Sequence, residues 1–377
     1  MVDYGEKILQ LIIFLPFFLT TDQITAKQIF VSSVCIFILT NISLRFVARN
    51  IERGISASVA IKRTQVHTNM DRVTYVVLLV AACVMYAVAT IFNSLSGGGP
   101  NAIFKSNTGD ISDKYYQEVT PAGWTFSIWG VIYIWETLWL IYAIVNIFRK
   151  TESGFVFNNP ELMSAPFFVI FTINMAMNLA WIFLFDRQHL EPCLAILFLM
   201  YVTLYMCLFL SYRALDQNLQ SLQKQERKAD IWLTRILVQN GLSLYATWCT
   251  IATNLNISMV LIYRGSLDVS VHDGGTVALS VIAAQILVFV VLDFFFWDRY
   301  TRYTLTPYCV VIVALIGSLT KNYSEGNRNT IFTIVLLSIA GAIFIIKIVL
   351  TIVRHIRNPL KGMDISETKE NLKNQVV

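Results

Sequence analysis

The sequence predicts an all-α fold, a polytopic membrane bundle of nine or ten transmembrane helices. Three observations predict it. Of the 377 residues, 56% are hydrophobic and only 14% charged, a balance that leaves too little polar surface for a soluble globular chain. Nine stretches reach the roughly 20 mostly apolar residues that an α-helix needs to cross a hydrocarbon core. Lys and Arg collect in alternate connections between those stretches, as the positive-inside rule requires of a multi-pass protein.

Taken in order, the spans are expected near 29–48, 72–95, 122–148, 164–186, 190–212, 238–263, 276–297, 303–320 and 330–353. The shorter stretch ILQLIIFLPFFLT at 8–20 follows Asp3 and Glu6, where a secretory signal prefers basic residues. It reads as a tilted first span, a half-buried helix or an atypical signal anchor. The connection at 45–72 carries Arg45, Arg49, Arg53, Lys62, Arg63 and Arg72; that at 213–230 carries Arg213, Lys224, Arg227 and Lys228. The tail adds Arg354, Arg357, Lys361, Lys369 and Lys373. These segments are therefore expected on the cytosolic side, C-terminus included, with 96–121, 187–189, 264–275 and 321–329 on the other. The net charge of +5 thus reads as orientation in a membrane, with membrane lipids as partners and no nucleic acid. Neither the plasma membrane nor an internal membrane is singled out.

The six cysteines lie in apolar segments without metal-ligand spacing and read as small buried hydrophobes. The connection RALDQNLQSLQKQERKAD favours helix and reads as a solvated extension. The connection SLSGGGPNAIFKSNTGDISDKYYQEV starts with glycines and continues with aromatic and apolar residues, the composition of a loop that folds over a cavity as a lid. Asn322 begins a glycosylation sequon, Asn322-Tyr323-Ser324, in a connection expected outside.

The stretch TPAGWTFSIWGVIYIWETLW, from Thr120 to Trp139, holds four of the eight tryptophans and one carboxylate. Pro121 and Gly123 end the loop, so a helix is expected from near Trp124. Trp129, Tyr133 and Glu136 then share one face at i, i+4 and i+7, and Trp124, Ile128, Trp135 and Trp139 form a neighbouring stripe. An ionised Glu136 near the bilayer middle costs about 2.5–3.5 kcal/mol on insertion scales, so it must be neutral, paired or wet. Two further segments set Trp beside amides. Asn174, Asn178, Trp181 and Phe185 recur on one helix face, and Trp248, Ala252 and Asn256 on another, with Leu255 beside them. Any single buried Asn reads first as interhelical glue; three helices that each pair Trp with a polar group point to a shared pocket.

At these residues the chain resembles the translocator protein and tryptophan-rich sensory protein family, also called the peripheral benzodiazepine receptor family. Pro121, Gly123, Trp124, Phe126, Trp129 and Tyr133 resemble the opening of the family's second helix. Met177, Asn178 and Trp181 resemble its third helix; Trp248, Ile251, Ala252, Leu255 and Asn256 its fifth. The resemblance covers a five-helix core at 72–263. It leaves 1–71 as an N-terminal extra segment with a cytosolic loop, 264–353 as three additional helices and 354–377 as a polar tail. It implies a bundle that is often a homodimer. Its cavity would bind a tetrapyrrole, a sterol-like molecule or another aromatic ligand beneath the loop between helices one and two. Trp248, Ala252 and Leu255 would line that pocket, with Asn178 and Trp181 near it. The chain departs from the family at Ser127-Ile128, where many members carry Gly-Pro, and at Glu136, in a part of the helix usually without charge. Tyr263 is followed directly by Arg264, which breaks the spacing of the proposed sterol-recognition pattern.

Two functions compete. One is a membrane receptor, sensor or carrier for a planar hydrophobic ligand; the other is a secondary transporter that uses Glu136, with Asp293 and Gln285 as further intramembrane polar groups. Asp293 is expected to pair with Arg299 or Arg302. An enzyme is not expected, because the four histidines lie in loops or tails and no nucleophile, metal or phosphate-loop pattern is present.

Overall fold

The computed structural model describes residues 70–360, apart from 153 and 267. The spans expected at 8–20 and 29–48, the 45–69 connection and most of the polar tail lie outside the described residues. Within them the chain is helical almost throughout, and all eight of the remaining expected spans are helices. In chain order these are α1 (Arg72–Gly97), the short α2 (Thr108–Lys114), α3 (Ile128–Phe148), α4 (Ala165–Asp186), α5 (Leu190–Lys224), α6 (Lys228–Leu233) and α7 (Asn240–Tyr263). There follow α8 (Val271–Val291), the single turn α9 (Asp298–Thr301), α10 (Thr306–Asn322) and α11 (Arg328–Arg357). One small hairpin, Lys150–Thr151 with Gly154–Phe155, is the sole sheet among the described residues.

Local chemistry starts most of these helices. The Asp71 carboxylate accepts the Thr74 amide at 2.8 Å, and the Asn327 side chain accepts from Asn329 and Thr330, each filling an otherwise open first-turn donor. Pro166 and Pro307 stand in the first turns of α4 and α10, where their missing N–H costs nothing. Arg354, His355 and Arg357 fill the last turn of α11 and complement its dipole. The helix expected from Trp124 begins differently: Gly123–Ser127 is a 3₁₀ turn and α-helix starts only at Ile128. The tighter winding rotates Trp124 away from the helix it leads into.

Among the described residues, six helices are long and apolar enough to cross a membrane: Arg72–Gly97, Gly123–Phe148, Ala165–Asp186, Leu190–Lys224, Val271–Phe296 and Arg328–Arg357. The helix α10 is shorter, and α7 is rich in amides and hydroxyls. That polarity is tolerated because α7 is the central helix, buried along most of its length and packed against α3, α5, α8 and α10. Helix α4 packs between α1 and α5. Helices α8, α10 and α11 close the far side of α7 and share a second apolar cluster, Leu279, Ile282, Leu315, Leu336 and Ala340, with Val119 of the α1–α3 connection.

The extension at the end of α5 is helical, as its composition predicts, yet it is not solvated all round. Leu215, Leu219 and Leu222 bury a stripe against Ile231, and Asp216 pairs with Arg299 at 2.5 Å. This end of the bundle also gathers Arg149, Arg227, Arg302 and Arg354. At the opposite end the 98–122 connection is pinned on several sides. Lys105 and Ser106 donate backbone N–H to Asp186, Gln117 donates to the Leu255 carbonyl, and Tyr263 donates to that of Tyr116. Asn322 donates to the carbonyl of Thr120, and the Ala122 amide to that of Gly317 at 3.0 Å.

That last contact requires glycine. A Cβ at position 317 would stand 2.1 Å from Thr125 Oγ1, so α10 approaches the Gly123–Ser127 turn more closely than any side chain allows. Gly317→Ala is expected to destabilise the fold by about 1–3 kcal/mol through overpacking, read as a lower thermal midpoint in detergent. Thr125→Ala in the same chain removes the colliding atoms and is expected to recover most of that loss.

Candidate functional site

The convergence of α1, α3, α4 and α7 is built on Asn178. Its Nδ2 donates to Tyr245 Oη at 2.9 Å. Its Oδ1 accepts Asn93 Nδ2 at 2.7 Å and Tyr133 Oη at 3.3 Å. One fully buried amide thereby ties three other helices. Asn174, one turn earlier, serves a narrower purpose and donates to the Met200 carbonyl and Thr203 hydroxyl of α5.

Around Asn178 the candidate aromatics pack on one another. Trp129 stacks on Tyr133 with ring centroids 5.8 Å apart, meets Trp181 at 5.8 Å and Tyr245 at 5.8 Å, and meets Trp248 edge-on at 6.4 Å. Trp181 stacks on Phe185 and Phe126 meets Trp248 edge-on. The Trp faces that the sequence places on three helices do come together, and they fill the core rather than enclose a void. The expected second stripe does not form. Trp124 is 49% exposed, Trp135 covers Gly241 and donates to the Ile236 carbonyl at 3.0 Å, and Trp139 packs against Phe167 and Phe171.

Glu136 is 0% exposed. Its Oε2 accepts the indole N–H of Trp139, Oε1 has no hydrogen-bond partner, and no cation pairs with it among the described residues. The carboxyl is thus buried in the packed core, and Glu136 is not among the residues that line the crevice described next.

That crevice is the open space that the candidate residues border. Trp248, Ile251 and Leu255 of α7 form one wall, Leu279 and Ile282 of α8 with Val311, Leu315 and Ser318 of α10 the others, and Val119 and Pro121 the roof. Its free space is about 20 Å³, room for roughly one water molecule and far below the ~300–1,000 Å³ of drug-sized sites. Two buried polar atoms on its walls have no partner among the described residues, Trp248 Nε1 and Ser318 Oγ. Of the sequence candidates only Trp248 and Leu255 line it. Trp129, Tyr133, Glu136, Asn178, Trp181, Ala252 and Asn256 do not, and Phe126 reaches it only through Trp248. Half of its lining belongs to α8 and α10, which carry no Trp and gave no pattern to follow. Asn93 and Tyr245 were missed as well; Tyr245 stands three residues before Trp248, a spacing that places both on one face.

The two further intramembrane polar groups, Gln285 and Asp293, are each paired. Gln285 exchanges hydrogen bonds with Asn254. Asp293 does not pair with Arg299 or Arg302, which bind Asp216 and Asp298. It pairs with Lys347 of α11 at 2.8 Å, and accepts from Thr301 at 2.5 Å and from Tyr308. The π-helical turn Leu292–Phe296 ends α8 where α11 can reach Asp293, while the two arginines lie beyond it. At Asn322 the amide nitrogen that a glycan would occupy donates to the carbonyls of Thr120 and Ser318.

The family model for TSPO-like proteins matches residues 72–352. The chain is thus a multi-pass helical membrane protein of the TspO class, and it belongs to the TSPO-like protein family. The match runs through α8, α10 and α11 as well as the five helices before them. No curated protein and no solved structure matches the chain.

Two measurements test this interior. Asn178→Ala strands partners on three helices and is expected to cost about 1–2 kcal/mol, a larger fall in thermal midpoint than Asn174→Ala produces. Lys347→Met leaves Asp293 buried without its cation and is expected to cost about 3–5 kcal/mol. Lys347→Met with Asp293→Leu, which removes both charges, is expected to regain most of it.

Proposed function

We propose that the protein is a non-enzymatic membrane receptor or carrier for a planar hydrophobic ligand of tetrapyrrole or sterol type, bound at the Trp248 crevice. The observation that carries this reading is the pair of buried, unpartnered polar atoms, Trp248 Nε1 and Ser318 Oγ, on walls that are otherwise apolar. A ligand with an apolar body and one or two polar edges would satisfy both, and unmet buried polar groups are worth about 1–3 kcal/mol each when paired. The family supports the same chemistry. The closed volume requires the 98–122 connection and α10 to move apart before a ligand enters, with Val119 and Pro121 acting as the lid. In this reading the basic end faces the cytosol and the lid faces outward or into a lumen.

The test is a titration of the purified chain with a porphyrin, followed by tryptophan fluorescence. Trp248→Ala is expected to weaken binding by about tenfold or more, because a large aromatic surface and a donor are both lost. Ser318→Ala is expected to weaken it less, and Trp124→Leu, at an exposed site, to leave it unchanged. Equal losses in all three variants would sink the crevice assignment. Normal porphyrin binding by Trp248→Ala, together with proton flux in liposomes that Glu136→Gln abolishes, would replace this reading with a secondary transporter.

A further inference from the structure

At the end of the bundle opposite the lid, one arginine is buried without a charged partner among the described residues. Arg149 and Arg227 pair with Asp230, Arg299 with Asp216, and Arg302 and Arg354 with Asp298. Arg235 is only 7% exposed, yet its guanidinium has neither an ion pair nor a hydrogen bond among the described residues. It sits instead in a corner of aromatic rings, 4.2 Å from the Tyr303 centroid and 5.1 Å from that of Trp232. Such stacking engages the face of the planar cation and leaves its five in-plane N–H donors unused.

The corner is built before anything occupies it. Arg235 lies in the π-helical turn Thr234–Gln239, a rare geometry that recurs at functional sites. Asn240 Nδ2 donates to the carbonyls of both Arg235 and Tyr303 at 2.8 Å, and Asn240 Oδ1 accepts the Leu305 amide at 2.9 Å. One side chain thus fixes the arginine and the ring beneath it. Tyr303 is held in turn by His355, whose Nδ1 lies 2.8 Å from Tyr303 Oη. Arg302 opposes the charge on Arg235 but is itself paired with Asp298, and no carboxylate pairs with Arg235 among the described residues. A buried, unpaired cation is costly; an anion with several acceptor oxygens removes the cost.

Which anion is available follows from location. Trp232 and Ile236, flanking Arg235 in sequence, are exposed large hydrophobic residues on the outside of the bundle. Trp and Tyr together beside basic residues mark the headgroup level of a bilayer, and basic pockets between helices at that level take lipid phosphates. We propose that Arg235, framed by Trp232 and Tyr303, is a binding site for the phosphate of a membrane phospholipid headgroup, separate from the Trp248 crevice.

The full chain, stripped of lipid in detergent, is titrated with dioctanoyl phosphatidic acid and followed by native mass spectrometry and thermal melting. Wild type is expected to take up one lipid per chain and to melt higher with it. Arg235→Gln is expected to weaken that binding by about tenfold or more and to lose the lipid-induced rise, while melting no lower than wild type without lipid. Arg235→Lys is expected to fall between, since it keeps the charge but not the planar fork. If Arg235→Gln binds lipid as wild type does, or melts lower without lipid and gains the same rise, the site is refuted. Inorganic phosphate that displaces the lipid at comparable concentration would overturn the lipid assignment in favour of a soluble phosphate.

Discussion

A hydrocarbon bilayer offers no hydrogen-bond partner, so every polar group within it must be satisfied by the protein itself. Asn178 is where this constraint is met most fully. Its amide accepts from Asn93 and Tyr133 and donates to Tyr245, and with those bonds the relative rotations of α1, α3, α4 and α7 are set. The aromatic packing follows from it, because Trp129, Trp181 and Trp248 meet only when these helices present the faces that carry Tyr133, Asn178 and Tyr245.

The same constraint explains why the bundle does not stop at five helices. Helix α7 carries Asn254, Asn256, Thr253 and Ser258 besides its aromatics, all of them buried. Gln285 of α8 satisfies Asn254, and Ser258 donates to the carbonyl of Gly274 at 2.8 Å. Without α8, Asn254 and Ser258 on this face of the helix would meet lipid unpaired. The added helices thus pack directly on the core, and in covering α7 they supply half the walls of the crevice beneath the roof of Val119 and Pro121.

The two ends of the molecule differ in kind. At the lid end, mixed polar contacts bind loop to loop, with Glu118 bridging His272 and Asn329 at 2.8 and 2.6 Å and Arg328 paired with Asp273 at 2.9 Å. At the other end arginines dominate, and Asp230 is shared between Arg149 and Arg227. Burial alone would raise the Asp230 pKa, but these two guanidinium groups outweigh it and hold the carboxyl below its ordinary value. Its contribution to stability is therefore present above the ordinary aspartate range and lost as pH falls through the lowered value.

Hydropathy and spacing determined the eight spans within 70–360 and which face of a helix carries its Trp, because each is a property of a single segment and its period. Boundaries slipped where polar residues continue a helix, as at Val271–Asp273 in the first turn of α8 and Lys228–Leu233 before α7. Of the two intramembrane charges Lys347 and Asp293, only Asp293 stood out in the sequence, with Arg299 or Arg302 as its expected partner. That they are each other's partner was decided only when the π-helical turn at Leu292–Phe296 and the register of α11 brought them within 2.8 Å. The crevice was decided at the same level. Leu279, Ile282, Val311 and Leu315 are ordinary apolar residues of ordinary spans, and a wall made of four segments far apart in sequence has no periodicity for any one of them to show.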